Sequence, residues 1–123
     1  MVKRRKLVGT IAAIVVKKND TFLGMRVRYD GDLAHAGKLL HDFYNTEEKA
    51  FDLVKKGNTD VLSSNINLVV FDGDDPIESD SISMLNTMLD GKYVYIFCNG
   101  SWLYIDIAKH LSQPLDAALQ TKE

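Results

Sequence analysis

Arg26-Val-Arg-Tyr-Asp-Gly-Asp-Leu-Ala-His-Ala-Gly-Lys-Leu-Leu-His-Asp-Phe-Tyr44 decides the fold, because it passes from strand to helix through one sharp turn. Its first residues complete a strand-like run from Thr21 to Tyr29. Asp30-Gly31-Asp32 then breaks the strand, and either aspartate is placed to cap the helix that follows, since its carboxylate accepts otherwise unpaired amide protons. Gly31 is expected at positive φ, where a residue with a Cβ is disfavoured. Leu33, Ala36, Leu40, Phe43 and Tyr44 recur at helical spacing and form the expected buried stripe. Gly37 lies inside this helix at a cost of about 1 kcal/mol against alanine, so close packing is expected there.

Working backwards, Gly9 to Val16 is rich in β-branched residues and is separated from Thr21 by Asn19-Asp20, which predicts a hairpin. With Lys18 facing Thr21, one face gathers Ala12, Ile14, Val16, Leu23, Met25 and Val27, the expected core. The other carries Ile11, Val15 and Phe22 beside Arg26 and Arg28, and reads as a mixed apolar and basic surface. Lys3-Arg4-Arg5-Lys6 before an apolar run imitates a secretory signal, but the run ends in Lys17-Lys18-Asn19-Asp20 without a small-residue cleavage site. It is also far shorter than the ~20 residues of a membrane-spanning helix, so no membrane partner is expected. Residues 1–6 read as a flexible basic terminus.

Working forwards, Asn45-Thr46-Glu47-Glu48 opens a second helix, and Lys55-Lys56-Gly57 closes it with a basic last turn and a glycine. Thr59 to Asn65 reads as a loop or short turn, and Ile66 to Phe71 as a third strand. After the Asp72–Pro76 loop, Asp80 or Ser81 caps a short helix through Leu89, closed by Asp90-Gly91. Asn99-Gly100 joins Tyr93–Cys98 to Ser101–Ile107 as a second hairpin. Ala108, Leu111, Leu115, Ala118 and Leu119 repeat the helical spacing, with Pro114 either breaking that helix or opening a new one. The order predicts one α+β domain over residues 1–123, with a mainly antiparallel sheet from two hairpins and three to four helices.

Composition bounds the function. An apolar share of 46% and a charged share of 26% fit an ordinary globular domain. The single cysteine, Cys98, excludes an intramolecular disulfide and suits a reducing compartment. Net charge is −2, yet eight of 15 basic residues precede position 29. Gly57 to Gly91 holds Asp60, Asp72, Asp74, Asp75, Glu78, Asp80 and Asp90 with no Lys or Arg. The acidic run is no calcium loop: Ile77 stands at the turn glycine's place and Ser83 at the closing glutamate's. His35 and His41, six apart, lie on different helix faces and form no metal pair. Asp30 is placed to orient His35 across the turn.

No catalytic residue, metal ligand or cofactor is assigned from the residues. The expected binding surface comprises Arg26, Arg28, Tyr29, Asp30, Gly31 and His35 at the junction, with Tyr95, Trp102 and Tyr104 on the second hairpin. The two-residue turn pairs Phe97 with Trp102, Tyr95 with Tyr104 and Tyr93 with Asp106 on one face, leaving Val94, Ile96, Cys98, Leu103 and Ile105 on the other. The aliphatic face is the natural core. The aromatic one is either covered by a helix or exposed as a platform for a partner protein or stacked bases.

Tyr29-Asp30-Gly31, then Gly37, Leu40 and Tyr44, and later Gly57-Asn-Thr-Asp-Val-Leu-Ser63 resemble a family of small phage-encoded proteins. These carry a Tyr/Trp-Asp-Gly-Tyr…Gly…Leu…Tyr motif followed by a helix ending in Leu-Gly-Asp-hydrophobic-Ser. The resemblance covers residues 8–63 and extends loosely to the aromatic strand pair Tyr93–Tyr104. Asp32 stands where the family has tyrosine, and Ala34-His35-Ala36 replaces its polar-glycine segment. The family includes proteins described as modifiers of suppressor tRNAs. The resemblance implies a phage accessory protein acting in the host cytoplasm, near RNA in some members, and it identifies no catalytic residues. The leading expectation is a non-enzymatic protein that binds a host macromolecule, with a host protein as partner, the alternative being an RNA- or tRNA-associated factor. A third class is a small-ligand binder or enzyme built at the turn around Asp30, His35 and Arg28, which a pocket joining those groups would favour.

Overall fold

In the computed structural model, residues 9–120 are described. The basic cluster Lys3–Lys6 lies outside them. The described chain is a single α+β domain with one six-stranded mixed sheet, ordered β3-β2-β1-β4-β5-β6. Strand β1 (Ala12–Lys18) pairs antiparallel with β2 (Thr21–Val27), and Lys18 faces Thr21 as the turn length requires. β4 (Tyr93–Cys98) and β5 (Ser101–Asp106) form the second hairpin, with Asn99 and Gly100 both at positive φ. β1 and β4 join the hairpins as the only parallel pair among the described strands.

One face of the sheet buries Ala12, Ile14, Val16, Met25 and Val27 together with Tyr95, Phe97, Trp102 and Tyr104. Three helices cover it: α1 (Lys38–Phe43), α2 (Glu47–Val54) and α4 (Leu115–Gln120), through Leu40, Leu53, Val54, Leu115 and Ala118. The aromatic face of the second hairpin is therefore the main core, and no exposed platform exists there. Its polar atoms are satisfied inside: the Tyr95 hydroxyl donates to the Gly31 carbonyl at 2.8 Å, and Trp102 Nε1 donates to the Tyr44 carbonyl at 2.8 Å.

The opposite face was expected to be open, mixed apolar and basic on the first hairpin, but it is covered too. Helix α3 (Ile82–Leu89) lays Leu85 and Leu89 on Ala13, Val15, Val94 and Ile96. Gly24 permits this, since a Cβ there would stand 2.9 Å from Leu89 and 3.0 Å from Leu85. α3 sits over β1, β2 and β3 (Ile77–Ser79). No described helix lies over β5 on this face, where Leu103 and Ile105 stay partly exposed.

Other expectations change in detail. Ile66–Phe71 is not a strand: Ile66–Leu68 forms a 3₁₀ turn capped by Asn65, and Phe71 makes a single β-bridge to Thr59. Leu111–Pro114 is an edge strand, β6, instead of helix, a place proline tolerates because an edge has amide positions facing solvent. Helix α4 begins after it. Thr46 caps α2 and Ser81 caps α3, each accepting from the amide three residues on.

Candidate functional site

After Val27 the chain leaves β2 but stays pinned. Arg28 N–H donates to the Thr59 carbonyl at 3.1 Å, and Tyr29 N–H to the Asp60 carbonyl at 2.7 Å. Asp30, not Gly31, then takes the left-handed conformation, with φ 56°. Aspartate tolerates that region better than most residues, which lets the adjacent glycine serve another need. A Cβ on Gly31 would lie 2.7 Å from the Thr10 carbonyl oxygen, 2.7 Å from the Ala12 Cβ and 2.8 Å from the Ala12 amide nitrogen. Gly31 is thus required by close approach to β1, and its N–H donates to the Thr10 carbonyl at 2.9 Å.

The helix does not begin as an ordinary α turn. Leu33–Gly37 forms a wide π-type turn before α1. Asp32 stands at its start and caps no amide with its side chain. Its Oδ1 instead meets His35 Nδ1 at 2.8 Å, the orienting role the sequence had suggested for Asp30. Asp30 is buried, at 3% exposure, while Asp32 and His35 are partly exposed. One donor atom from each of the three lies within 4.8 Å of the others.

A hollow of about 220 Å³ opens beside them, lined by Asp30, Ala34, His35, Lys38, Leu39, Val61 and Leu62. It joins Asp30 to His35 but excludes Arg28, whose guanidinium turns to Asp60 at 3.5 Å on the exposed surface. Arg26 is half-buried on the α3 side of the sheet, and its N–H donates to Asn58 Oδ1 at 2.8 Å. Tyr29 is half-buried. Tyr95, Trp102 and Tyr104 are interior residues and offer no contact surface. Burial raises the Tyr95 hydroxyl far above its usual range and pushes Tyr104 up to about 12, with neighbouring Asp106, Tyr93 and Asp32 adding to the latter.

Two features were not foreseen. One is a cavity of about 720 Å³ at the opposite end of β1, between the two hairpin tips and the start of α2. Its lining combines Lys17 and Lys18 with Glu47 and Glu48, and Lys18 Nζ already sits 4.4 Å over the Phe51 ring. The second is the outer side of α3. Met84 and Met88 are 63% and 51% exposed there, flanked by exposed Ser83 and Thr87. The signal was in the sequence: Ile82-Ser-Met-Leu-Asn-Thr-Met-Leu89 holds no charge at all, so neither side of the helix is marked for water.

Among the described residues, no helix is long and apolar enough to cross a membrane. Comparison with protein-family models, curated proteins and solved structures returns no match.

Proposed function

We propose that this chain is a non-catalytic binding protein whose target is a cationic, apolar-faced segment of another protein. The observation that carries the reading is the outer side of α3. Met84 and Met88 project from an uncharged helix, and the surrounding sequence presents exposed Asp72, Asp74, Asp75, Glu78, Asp80 and Asp90 without one Lys or Arg. Methionine side chains adapt to varied apolar partners. An acidic frame favours a basic one and repels phosphates. The same frame and the burial of Tyr95, Trp102 and Tyr104 weigh against RNA as the partner. In the setting the phage resemblance implies, the partner is a host protein in the host cytoplasm.

The test uses the full chain with ¹³C-labelled methionine methyls and a synthetic amphipathic helix of leucine and lysine as probe. The Met84 and Met88 signals should shift while buried Met25 stays still, and added salt should weaken binding. Met84→Ala with Met88→Ala should weaken it at least about tenfold, as loss of two anchoring side chains does. Unmoved Met84 and Met88 signals, equal affinity of the double variant, or the same shifts with tRNA would overturn the proposal.

A further inference from the structure

The geometry points to a divalent metal site at the strand-to-helix turn, in which Asp30, Asp32 and His35 bind one transition ion of the zinc class. Three donors on one zinc at ~2.1 Å stand about 3.4 Å apart. The three side chains already bring donor atoms within 4.8 Å of one another, with Asp32 Oδ1 and His35 Nδ1 at 2.8 Å. Side-chain adjustment of about an ångström closes the set. The backbone is held in place for it. Asp30 is fixed at φ 56° with its carbonyl accepting from Ala36 N–H, and the wide turn directs both His35 N–H and Gly37 N–H to the Asp32 carbonyl. Asp30 is 3% exposed and lies on the wall of the hollow beside the turn.

The hollow beside the cluster is the independent observation. Two of the three donors, Asp30 and His35, line its roughly 220 Å³, which holds several waters at about 30 Å³ each. Three protein ligands with room for water is the arrangement of an open zinc site, as against a closed structural one. The imidazole nitrogen selects zinc-class ions over calcium or magnesium, which prefer oxygen alone. Lys38 also lines the hollow, but its ammonium is paired with Asp42 at 3.1 Å, so its charge does not stand alone against the ion. The molecule supplies its own contrast in His41. That ring meets Asp42 through Nδ1 and Asp116 through Nε2, so its two carboxylates lie on opposite sides of the ring and do not converge on one point.

The site is independent of α3 and stands or falls separately from the binding reading above. The experiment titrates zinc chloride into the full chain in excess magnesium, followed by calorimetry and by the ¹⁵N signals of the histidine rings. The His35 signals should shift first, with those of His41 and His110 unmoved. Asp32→Asn and His35→Ala, both at partly exposed positions, should each weaken binding at least about tenfold, since losing even an outer partner of a metal ligand costs 10–100-fold. His41→Ala and Asp74→Asn with Asp75→Asn should leave binding unchanged. Equal affinity in the Asp32 and His35 variants, loss of binding in the Asp74/Asp75 variant, or displacement of zinc by magnesium (an adventitious ion only) would overturn the assignment.

Discussion

Gly31→Ala tests whether the turn is fixed by contact or by backbone conformation. Gly31 lies outside the positive-φ region, so an alanine meets no strain from its own backbone. The added Cβ, however, meets the Thr10 carbonyl oxygen and the Ala12 Cβ at 2.7 Å and the Ala12 nitrogen at 2.8 Å. None is the free end of a flexible side chain, so the turn must move away from β1. That overpacking costs about 1–3 kcal/mol. Movement also weakens two hydrogen bonds, Gly31 N–H to Thr10 and Tyr95 hydroxyl to Gly31, each worth about 1 kcal/mol. Restricting the unfolded chain returns about 0.4–1 kcal/mol. The net is about 3 kcal/mol, or about 10–12 °C in Tm for a chain of 123 residues. Gly73→Ala is the control, because Gly73 has φ +93° and nothing within 4 Å of a built Cβ. It should cost only the left-handed penalty, about 1 kcal/mol. Urea and thermal melts compare the two. A Gly31→Ala protein as stable as wild type, or a larger loss at Gly73, would refute the close-contact argument.

Trp102 is 5% exposed with its indole N–H bonded inside, so its emission should be blue-shifted and should resist iodide. Red-shifted, readily quenched emission would contradict the buried aromatic face. The hydrogen bond to Asp42, assisted by Asp116 and opposed by burial, holds His41 above the usual histidine pKa of about 6.5. Its ring titration by proton NMR should therefore have a midpoint above that value and fall in Asp42→Asn. Because the folded pKa is the higher one, this pair's stabilisation is complete below about pH 6.5 and is lost as pH rises through the folded midpoint, a small effect at so exposed a site. An unshifted midpoint would remove the pair from the account.

The hairpins were legible because their information is local. Asn99-Gly100 fixes a two-residue turn, and that alone sets Phe97 against Trp102 and Tyr95 against Tyr104. What covers each face was not legible, because it depends on segments distant in sequence. An aliphatic face looks like the core until Leu40, Leu53 and Leu115 arrive over the aromatic one. Tyr95 reads as amphipathic, and only the fold brings Gly31 to its hydroxyl across 64 positions. At the turn, Asp-Gly-Asp announced a break correctly but not the division of labour. Asp30 bears the left-handed backbone and Gly31 the close contact, a distinction that exists only once β1 is beside them. Ile66–Phe71 has strand composition, but β3 at Ile77–Ser79 holds the outer edge of β2 beside Phe22–Gly24. Thr59 bridges Val27 further along.

The unequal covering of the two faces bears on where a partner would sit. Six strands at ~4.8 Å spacing span about 24 Å, whereas an eight-residue helix is about 12 Å long and 10 Å across. Among the described residues, three helices close the aromatic face, whereas α3 is the one helix on the other and lies over β1, β2 and β3. A step therefore remains beside α3, floored by the partly exposed Leu103 and Ile105 of β5. Met84 and Met88 stand on the helix that borders this step. A cationic helix laid along α3 over β5 would cover Leu103 and Ile105 and complete the second layer much as α1, α2 and α4 complete the first. A partner that reached Leu103 and Ile105 as well as the methionines would bury more apolar area than the methionines alone supply, and area removed from water is the main driving term in association. The proposed recognition surface thus borders a part of the second face that no described helix covers.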